Sequence, residues 1–576
     1  MSGPELGAPP IELTADVLVI GAGAAGMMAA RAASDEGASV ILLDKSIIGR
    51  GGATVLAQMT VAVALGEAEP DSPAIHANDT MIGSRGLADP EIVRLVVESA
   101  PAIIHRLEGY GVDWARTPDG LHRQVAAPGH SRRRCVFVDM LKTGEGVAAA
   151  LRKVTRRDPR IVRLQNAMIT RLVRSAEGVV GAVGLTLADL APLWISASTV
   201  VIASGGLTKM YARSSASSNM TGDGILLAAQ AGASISDLEM VQFFPIAHLH
   251  PPLIHLDPIM WDPFRYKLGG RLINGLGEEF MEAVTGEVAG RYTATRDDTT
   301  RAIYAEVQAG RGSPHGGVFL DFRATPPAEL QEAFGPVIKI LADQGIDLTR
   351  DTIEVAPMAH FLLGGIHVDT SMRTDVPGLL ACGEAIAGMH GANRLSGNAI
   401  TEAAVTGRVA GATAAADRRP GVDRTFVACA GREELDRLMK FGHPRDVPHD
   451  EALVGAYTDQ FRQLAWEMIG PLRTGDVLHE ARARFRRLRE EVDDFALARE
   501  RTFPLSLQEK LELSTMLVLA EGIALGAEQR KETRGAHVRV DFPDALPVAS
   551  NTQFRLAADD EWLIESTPAA ASAEPV

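Results

Sequence analysis

Cysteine is scarce in this chain, and its scarcity excludes two kinds of structure. The 576 residues include only three cysteines, Cys135, Cys382 and Cys429, which lie far apart and form no C-x-x-C pair. An iron–sulfur cluster held by four thiolates of this chain is therefore excluded. A disulfide scaffold is equally unsupported, so we expect a protein of a reducing compartment, the cytoplasm.

Long apolar segments and an excess of positive charge are missing too. No uncharged apolar run reaches the about 18 residues of a spanning helix, and Met1 to Leu13 lacks the features of a signal peptide. The net charge of −16 disfavours nucleic acid or an anionic membrane as a partner. We therefore expect no nucleic-acid partner and no direct membrane insertion. The composition, 46% apolar and 23% charged, is typical of a globular enzyme, and the length implies about two to four domains.

The first informative motif is a strand, a glycine-rich turn and a helix that begin at residue 16. An apolar run predicts the strand, and Gly21, Gly23 and Gly26 follow it at G-x-G-x-x-G spacing. Such glycines permit a tight turn, close approach of a pyrophosphate and close helix packing, while the helix N-terminus attracts phosphate. Asp44, at the end of the next predicted strand, can accept hydrogen bonds from ribose hydroxyls. The pattern favours NAD or FAD over NADP; the alternative is a glycine-rich turn in an ordinary α/β sheet.

The remaining chain predicts an interrupted α/β domain followed by helices. Apolar strands near 199–206 and 378–384 precede a small-residue helix at 399–416, whereas residues 251–316 are rich in Pro, Arg and Gly. Residues 430–535 show 3.6-residue periodicity with Arg/Glu faces, which is typical of a helical bundle. The last residues, 566–576, are rich in Ala, Pro, Ser and Glu and are expected to be disordered.

Eight motifs occur in a fixed order along the chain: Gly21-Ala-Gly-Ala-Ala-Gly26, Ala203-Ser-Gly-Gly206, Thr221-Gly-Asp-Gly224, Glu239-Met-Val-Gln-Phe243, His360-Phe-Leu-Leu-Gly-Gly365, Gly383-Glu384, His390-Gly-Ala-Asn-Arg-Leu-Ser-Gly-Asn398 and Lys531-Glu-Thr-Arg-Gly-Ala-His537. From about residue 16 to 543 the chain thereby resembles the flavoprotein subunits of succinate dehydrogenase and fumarate reductase. L-aspartate oxidase and adenylylsulfate reductase are relatives of that family.

The resemblance implies FAD as the cofactor and a specific architecture. The expected fold class is α/β, with a Rossmann-like FAD-binding domain that is split by an inserted α+β capping domain and followed by a C-terminal helical domain. The predicted boundaries are 1–247 and 354–425 for the FAD-binding domain, 248–353 for the cap, 426–545 for the helical domain and 546–576 for a C-terminal tail.

The family moves a hydride between flavin N5 and a carbon beside a carboxylate, while a second group moves a proton. The resemblance implies that Arg296 transfers the proton and that His360 and Arg394 hold the carboxylate. Asp262 and Arg265 match residues that relay protons to Arg296, although the loop after them differs in length. We predict no metal site. The positions that match FAD contacts in the family are Gly21, Gly23, Ala25, Gly26, Asp44, Lys45, Thr54, Gly206, Asp223, Glu384, Asn398, Ala399 and Ile400.

Each of these roles has a physical basis and an alternative. Arginine stays charged in isolation, so an arginine that transfers protons needs a dry, positive setting, which would also stabilise an enolate-like transition state. A second arginine can grip a carboxylate with two parallel N–H bonds. The alternative for His360 is a core histidine bonded to backbone, and for Asp262 and Arg265 it is a surface ion pair.

The chain departs from the family at three positions that bear on chemistry. Ala53 stands where the membrane-bound enzymes carry the histidine that links FAD covalently, so we expect non-covalent FAD. Phe244 and Trp261 replace a histidine and a threonine that help to hold the second carboxylate of a dicarboxylate. An apolar pair cannot solvate that charge. We therefore expect a substituted or bulkier carboxylate substrate rather than succinate or fumarate.

Three functions follow from these features. The first is an oxidoreductase that acts on a C–C bond beside a carboxylate and exchanges electrons through an iron–sulfur partner subunit, by which it can associate with a membrane. The second is a self-contained oxidase of the L-aspartate oxidase type, and an ordinary fumarate reductase is a variant of the first. A non-catalytic FAD-binding protein is the third, and the presence of Arg296, His360 and Arg394 argues against it.

Overall fold

The computed structural model describes residues 9–139, 141–253, 259–261, 268–284, 287–288, 291–292, 296–419, 423–441, 452–494, 505–558 and 560–570. Within these residues the helices are α1 (Ala24–Asp35), α2 (Pro73–Gly83), α3 (Pro90–Tyr110), α4 (Thr143–Arg157), α5 (Asp223–Gln230), α6 (Arg296–Gln308), α7 (Pro327–Phe334), α8 (Pro336–Asp343), α9 (Asn398–Ala416), α10 (Arg424–Phe441), α11 (Ala452–Met468), α12 (Gly475–Asp494) and α13 (Leu505–Gln529). The strands are β1 (Ile11–Ile20), β2 (Val40–Asp44), β3 (Val61–Ala62), β4 (Cys135–Val136), β5 (Ile161–Gln165), β6 (Ala167–Ser175), β7 (Gly178–Thr186), β8 (Pro192–Ile202), β9 (Ile235–Ser236), β10 (Val241–His250), β11 (Arg271–Ile273), β12 (Glu287–Val288), β13 (Arg291–Tyr292), β14 (Val318–Asp321), β15 (Ile353–Leu362), β16 (Gly365–Ile366), β17 (Leu379–Ala381), β18 (Ser550–Leu556) and β19 (Trp562–Pro568).

The main sheet confirms the predicted α/β class. Its strands follow the order β5-β2-β1-β8-β7-β6, and β17 pairs with the last residues of β8. The pairs β5–β2, β2–β1, β1–β8 and β8–β17 are parallel, whereas β6 and β7 form an antiparallel hairpin that continues onto β8. The apolar end of β1, Val17–Ile20, is buried, as expected for a parallel strand that is covered on both faces.

The turn after β1 requires glycine at two positions. Gly21 has a φ of +103°, and a Cβ there would lie 2.3 Å from the carbonyl oxygen of Ala203, which follows β8. A Cβ on Gly26 would lie 1.9 Å from the carbonyl oxygen of Gly21. Any larger residue would therefore push α1 away from the sheet. The two glycines bring the N-terminus of α1 to the carboxyl edge of the parallel strands, where α/β sheets bind ligands.

The inserted domain contains a second, antiparallel sheet of order β10-β15-β14-β11 and a core of its own. β10 and β15 pair with each other from Val241–Leu362 to His250–Glu354. The ends of the two strands near residues 241 and 362 pack in the main core, and the parts nearer to residues 250 and 354 pack in the inserted core. The two strands therefore connect the domains. The predicted boundaries near 248 and 354 therefore fall inside paired strands rather than in loops.

The C-terminal helices pack on the main domain through a buried ion network. Arg530, which follows α13, pairs with Asp237 at 2.9 Å and with Glu239 at 2.8 Å. Glu532 accepts from the same guanidinium at 3.1 Å, and all four side chains are buried. The predicted helices of the C-terminal domain are present as α11, α12 and α13. No helix in the described parts of the chain combines the length and apolarity that crossing a membrane requires.

The C-terminal tail differs from the prediction. We expected disorder from residue 566, but β18 and β19 form a hairpin that extends to Pro568. β18 also pairs with β9, so the hairpin completes a four-stranded sheet of order β16-β9-β18-β19. Residues 571–576 lie outside the described part of the chain.

Candidate active site

A deep cleft lies between the carboxyl edge of the main sheet and the inserted domain. Counted with its open mouth and the solvent space there, it encloses about 1730 Å³. The cleft brings together most of the residues that the sequence predicts for the site. Those that line it are Gly21, Gly23, Ala25, Asp44, Lys45, Thr54, Asp223, Phe244, Arg296, His360, Glu384, Arg394, Ala399 and Ile400.

Three predicted FAD contacts lie just behind the cleft wall. Gly26 packs α1 onto the turn, as described above. Gly206 lies against Glu384, whose carboxylate oxygen would be 2.5 Å from a Cβ there. Asn398 is the first residue of α9, and its fully buried side chain makes hydrogen bonds with His76 and Thr80. Asp262 and Arg265 lie outside the described residues, so their proposed relay role stays a prediction.

The dinucleotide end of the cleft is built by backbone amides that side chains hold in place. Asp44 accepts from the N–H of Ala22 at 2.7 Å and from Ser46 at 2.8 Å, which fixes the glycine turn relative to β2. Thr54 accepts from the N–H of Ala24 at 2.9 Å. The hydroxyl of Thr54 thus satisfies one of the free amides at the N-terminus of α1.

Lys45 is held by carboxylates from two domains. Its ammonium lies 2.5 Å from Asp223 and 2.8 Å from Glu512, and it also donates to Thr221 at 2.6 Å. Burial alone lowers the pKa of Lys45, but these two carboxylates outweigh it and raise the pKa. Glu512 belongs to α13, more than 460 residues away along the chain, and no local sequence pattern indicated that it reaches the cleft.

Glu384 gives the cleft a carboxyl group that is neutral near pH 7. Burial raises its pKa to about 8, and its oxygen accepts the N–H of Leu362 at 3.1 Å. A protonated carboxyl can donate a hydrogen bond to a ligand as well as accept one. Three further buried oxygens in the cleft lack partners among the described residues, Thr60 Oγ1, Ser204 Oγ and Asp223 Oδ1.

The opposite end of the cleft is strongly cationic. Arg394 is buried with its guanidinium 4.6 Å from the ring centroid of Phe361. Burial, and then repulsion by Arg296, lower the pKa of Arg394 to about 9. Within the described residues, Nε of Arg394 is buried and has no hydrogen-bond partner. A buried donor of this kind is costly, so this end of the cleft is suited to an anion.

His360 and Phe244 lie beside the two arginines. Burial, followed by the charges of Arg394 and Arg296, lowers the pKa of His360 well below its ordinary value, so its imidazole is neutral. Its Nδ1 lies 2.8 Å from the hydroxyl of Ser215. Phe244 contacts both groups: its ring is 5.0 Å from the Arg296 guanidinium and 5.3 Å from the His360 ring.

The structure differs from the prediction at Trp261. The indole is fully buried in the inserted core, packs on Phe334 and donates to His248 Nδ1 at 3.2 Å. Met260 lines the cleft instead. This segment is extended, with Met260 paired to Ala247, and successive side chains of an extended segment point to opposite sides. Met59 also lines the cleft, so Met59, Phe244 and Met260 contribute apolar surface to its wall, while the neighbouring Gln58 and Thr60 contribute polar groups.

A second group of potential ligands lies outside the cleft. Among the described residues, His105, Glu108 and His122 bring three candidate metal-ligand atoms within 4.8 Å of one another. Arg116 pairs with Glu108 there and lies 3.3 Å from Nε2 of His122. Because this guanidinium already contacts Glu108 and His122, we assign no metal to the three residues.

Comparison with known families identifies the chain. Residues 16–400 match the family described as FAD binding domain, and residues 458–574 match the one described as fumarate reductase flavoprotein C-term. The chain belongs to the succinate dehydrogenase and fumarate reductase flavoprotein family. FAD is therefore its cofactor, and it is an FAD-dependent oxidoreductase. The residues of the cleft fit this cofactor, since the glycine turn, the α1 amides and the unpartnered oxygens face a single cavity.

Two relatives cover nearly the whole chain. It is 35% identical over 541 residues to one subunit of the fumarate reductase (CoM/CoB) of Methanothermobacter marburgensis, covering 92% of this chain and 95% of the relative. It is 32% identical over 546 residues to L-aspartate oxidase of Streptomyces coelicolor, covering 93% and 90%. Two relatives whose names state different activities are therefore similar to this chain at nearly the same sequence identity.

Solved structures of the family share its fold. Mycobacterium smegmatis Sdh1 in complex with UQ1 superposes with a TM-score of 0.87 at 30% identity, over 98% of this chain and 96% of that one. The flavoprotein of Escherichia coli quinol fumarate reductase gives a TM-score of 0.89 at 27% identity, over 98% of each chain. The predicted split FAD-binding fold is thereby confirmed.

The site also contains residues that sequence reasoning did not find. Ser215, Phe361, Met59, Met260 and Glu512 all touch the cleft or its charged residues. Phe361 directly follows His360 in β15, where regular alternation would place it on the opposite face. The pairing of β10 with β15 is irregular opposite these residues, and sequence does not reveal this irregularity. The others depend on contacts between segments that are distant in the sequence.

Proposed function

We propose that this flavoprotein transfers a hydride and a proton across a carbon–carbon bond adjacent to a carboxylate. The observation that carries the proposal is the convergence of Arg296, His360 and Arg394 on the same cleft as the FAD-binding glycine turn. When bound, FAD supplies or accepts the hydride at its N5 atom. The chain's own residues bind the substrate, orient it and move the proton.

Arg394 and His360 hold the substrate carboxylate. A guanidinium can grip a carboxylate with two parallel hydrogen bonds, and the buried Nε of Arg394 provides one such donor. Burial, and then repulsion by Arg296, lower the pKa of Arg394, and a bound carboxylate would offset both. The neutral imidazole of His360 adds a donor without adding a third positive charge.

Arg296 donates the proton in reduction and accepts it in oxidation. It is the first residue of α6, its side chain is buried, and its guanidinium lies over Phe244 at the substrate end of the cleft. The position matches the arginine to which the family resemblance assigns the proton step. The surrounding positive charge stabilises the negative charge that develops on the substrate in the transition state.

The far end of the substrate meets an apolar wall of Met59, Phe244 and Met260. A second carboxylate placed there would lose its hydration without gaining a charged partner from this wall. An alkyl or aryl group would gain about 25 cal/mol per Å² of buried surface. We therefore infer that the substrate is an unsaturated monocarboxylate or a substituted dicarboxylate, and that fumarate and succinate are poor substrates.

FAD is bound without a covalent link, and electrons are exchanged with a partner subunit that carries iron–sulfur clusters. Ala53 lines the cleft at the position of the histidine that anchors FAD in the membrane-bound relatives. The similarity to one subunit of a multisubunit fumarate reductase and to flavoproteins of larger complexes supports the partner. The 32% identity to L-aspartate oxidase keeps a self-contained oxidase as the second candidate.

Anaerobic reoxidation of the reduced holoenzyme tests the proposal. The bleached flavin is mixed with fumarate, mesaconate, crotonate or cinnamate, and the return of flavin absorbance is followed by stopped flow. We expect reoxidation by one or more of the last three to be faster than by fumarate. Arg296→Lys should lose that reaction, whereas Arg311→Lys, which alters an arginine paired with Glu306 away from the cleft, should retain it.

Two results would contradict parts of the proposal. Fastest reoxidation by fumarate would refute the inferred role of the apolar wall. Rapid aerobic turnover of L-aspartate by the isolated chain, with stoichiometric peroxide, would establish the oxidase instead and would remove the need for a partner. Co-purification of an iron–sulfur subunit from the native source would support the proposed exchange of electrons with a partner subunit.

A further inference from the structure

The hydroxyl of Ser215 contacts the imidazole of His360, and both residues line the cleft. Ser215 Oγ lies 2.8 Å from Nδ1 of His360 and 3.3 Å from the carbonyl oxygen of Ala359. The Ser215 N–H donates to that same carbonyl at 3.0 Å, so the backbone at Ser215 is hydrogen-bonded to β15. Among the described residues, Nε2 of His360 makes no hydrogen bond, and His360 lines the cleft.

A hydroxyl has one proton to donate, so two arrangements are possible. If Ser215 donates to Nδ1, the imidazole proton is on Nε2, which then acts as a donor toward the cleft. If Ser215 donates to the Ala359 carbonyl, Nδ1 carries the proton, and Nε2 presents a lone pair that repels anions. The 2.8 Å contact suits a hydrogen bond in either direction, but the second arrangement also needs the hydroxyl to donate to the Ala359 carbonyl over 3.3 Å, which is long for an O–H donor, so the distances favour the first arrangement. The carbonyl of Ala359 also has the Ser215 amide as a partner.

We propose that Ser215 is a positioning residue that fixes His360 in the tautomer with its proton on Nε2, and thereby makes this neutral histidine a donor to the substrate carboxylate. The inference rests on the proposed function in one respect, the assignment of a carboxylate to this end of the cleft. The tautomer matters here because burial, followed by the charges of Arg394 and Arg296, lowers the pKa of His360 well below its ordinary value. The neutral imidazole therefore cannot become a donor by taking up a proton.

The segment that carries Ser215 is itself fixed to the inserted domain. The Arg213 carbonyl accepts the N–H of Ala359 at 2.9 Å, and the Arg213 guanidinium donates to the carbonyls of His315 and Gly316. Ser214 forms a parallel bridge with Ala359, but within the described parts of the chain its hydroxyl accepts only from the N–H of Ala216, at 3.1 Å. Ser214 is therefore a matched control, because it neighbours Ser215 and does not touch the imidazole.

The tautomer can be measured directly in the FAD-loaded full-length protein. Long-range ¹H–¹⁵N correlation of ¹⁵N-histidine-labelled samples distinguishes protonated from unprotonated ring nitrogens, and the signal that disappears in His360→Gln identifies His360 among the 15 histidines. We expect protonation at Nε2 in the wild type, Ser215→Thr and Ser214→Ala. In Ser215→Ala both ring resonances should shift as the tautomers mix. Protonation at Nδ1 in the wild type, or unchanged resonances in Ser215→Ala, would overturn the proposal.

Ligand binding separates this inference from the proposed function. The dissociation constants of crotonate and of the neutral crotonamide are measured from the perturbation of the oxidised flavin spectrum. Ser215→Ala should weaken crotonate about tenfold and crotonamide much less, because an amide can pair with either tautomer. Ser215→Thr should restore crotonate binding. Weakened binding in His360→Gln without any effect of Ser215→Ala would refute only the role of Ser215. Unchanged crotonate binding in His360→Gln would refute the carboxylate role of His360 itself.

Discussion

Replacement of Phe244 by histidine tests the origin of substrate choice most directly. Phe244 is 3% exposed and lies between the Arg296 guanidinium and the His360 ring. Histidine is smaller and planar, so it fits the same space and adds an N–H donor. The family's dicarboxylate enzymes carry a histidine at this position, and the change should therefore shift the preference toward dicarboxylates.

The size of the shift follows from two contributions. Each methylene of a substrate that packs on Phe244 contributes about 0.8 kcal/mol, or roughly fourfold in kcat/KM, and part of this is lost with the ring. A hydrogen bond from the new imidazole to a carboxylate contributes about 1.5–3 kcal/mol, or roughly 10- to 150-fold. The ratio of kcat/KM for fumarate to that for crotonate should therefore rise by about two orders of magnitude.

Steady-state rates with a reduced dye as the electron donor measure this ratio for wild type and variant. Phe319→His is the control, since Phe319 lies on β14 of the inserted sheet and does not line the cleft. Its ratio should equal that of the wild type. If Phe244→His folds, binds FAD and keeps the wild-type ratio, the apolar wall does not select the substrate and the reasoning fails.

Three further predictions concern the cofactor and the charged residues. Acid or heat should release the flavin from the purified protein, because Ala53 cannot form the covalent link; yellow colour that stays with precipitated protein would contradict this. Arg296→Lys should lower turnover by about 10²–10⁴-fold while FAD remains bound, and near-normal turnover would assign the proton step elsewhere. Because burial raises the pKa of Glu384 from 4.5 to about 8, the folded apo-protein holds a proton that the unfolded chain has released. The Tm difference between the wild-type apo-protein and Glu384→Gln isolates this group from the other titrating residues. The Tm of the wild type relative to that of Glu384→Gln should fall as the pH rises from about 5 to 8, and a difference that is independent of pH in thermal melts would contradict the pKa shift.

The parts of the fold that the sequence predicted well are those with local causes. The glycine turn, α1 and the long amphipathic helices follow from residues that are close together in the chain. The hairpin of β18 and β19 was missed because β18 pairs with β9, more than 300 residues earlier. A short polar segment becomes a strand when a distant edge offers it hydrogen bonds, and its own composition does not show this.

The candidate site was predictable to the extent that motifs determine it. Arg296, His360 and Arg394 were found from motif position, and the structure brings them to one cavity. Trp261 was misplaced by a single residue, since its neighbour Met260 faces the cleft. In an extended segment an offset of one residue exchanges the buried face for the exposed face. Ser215 and Glu512 could not be found, because only the fold brings them to His360 and Lys45.

The ion network around Arg530 bears on how the protein can be divided for expression. The two matched family segments, 16–400 and 458–574, suggest two modules. A fragment that ends near residue 400 would leave Asp237 and Glu239 buried without their guanidinium, and removal of one partner from a buried pair costs about 3–5 kcal/mol. The same fragment would leave Lys45 with one carboxylate fewer. We therefore expect the segments to fold as one cooperative unit, and a flavin-binding fragment without the C-terminal helices should fail to fold stably.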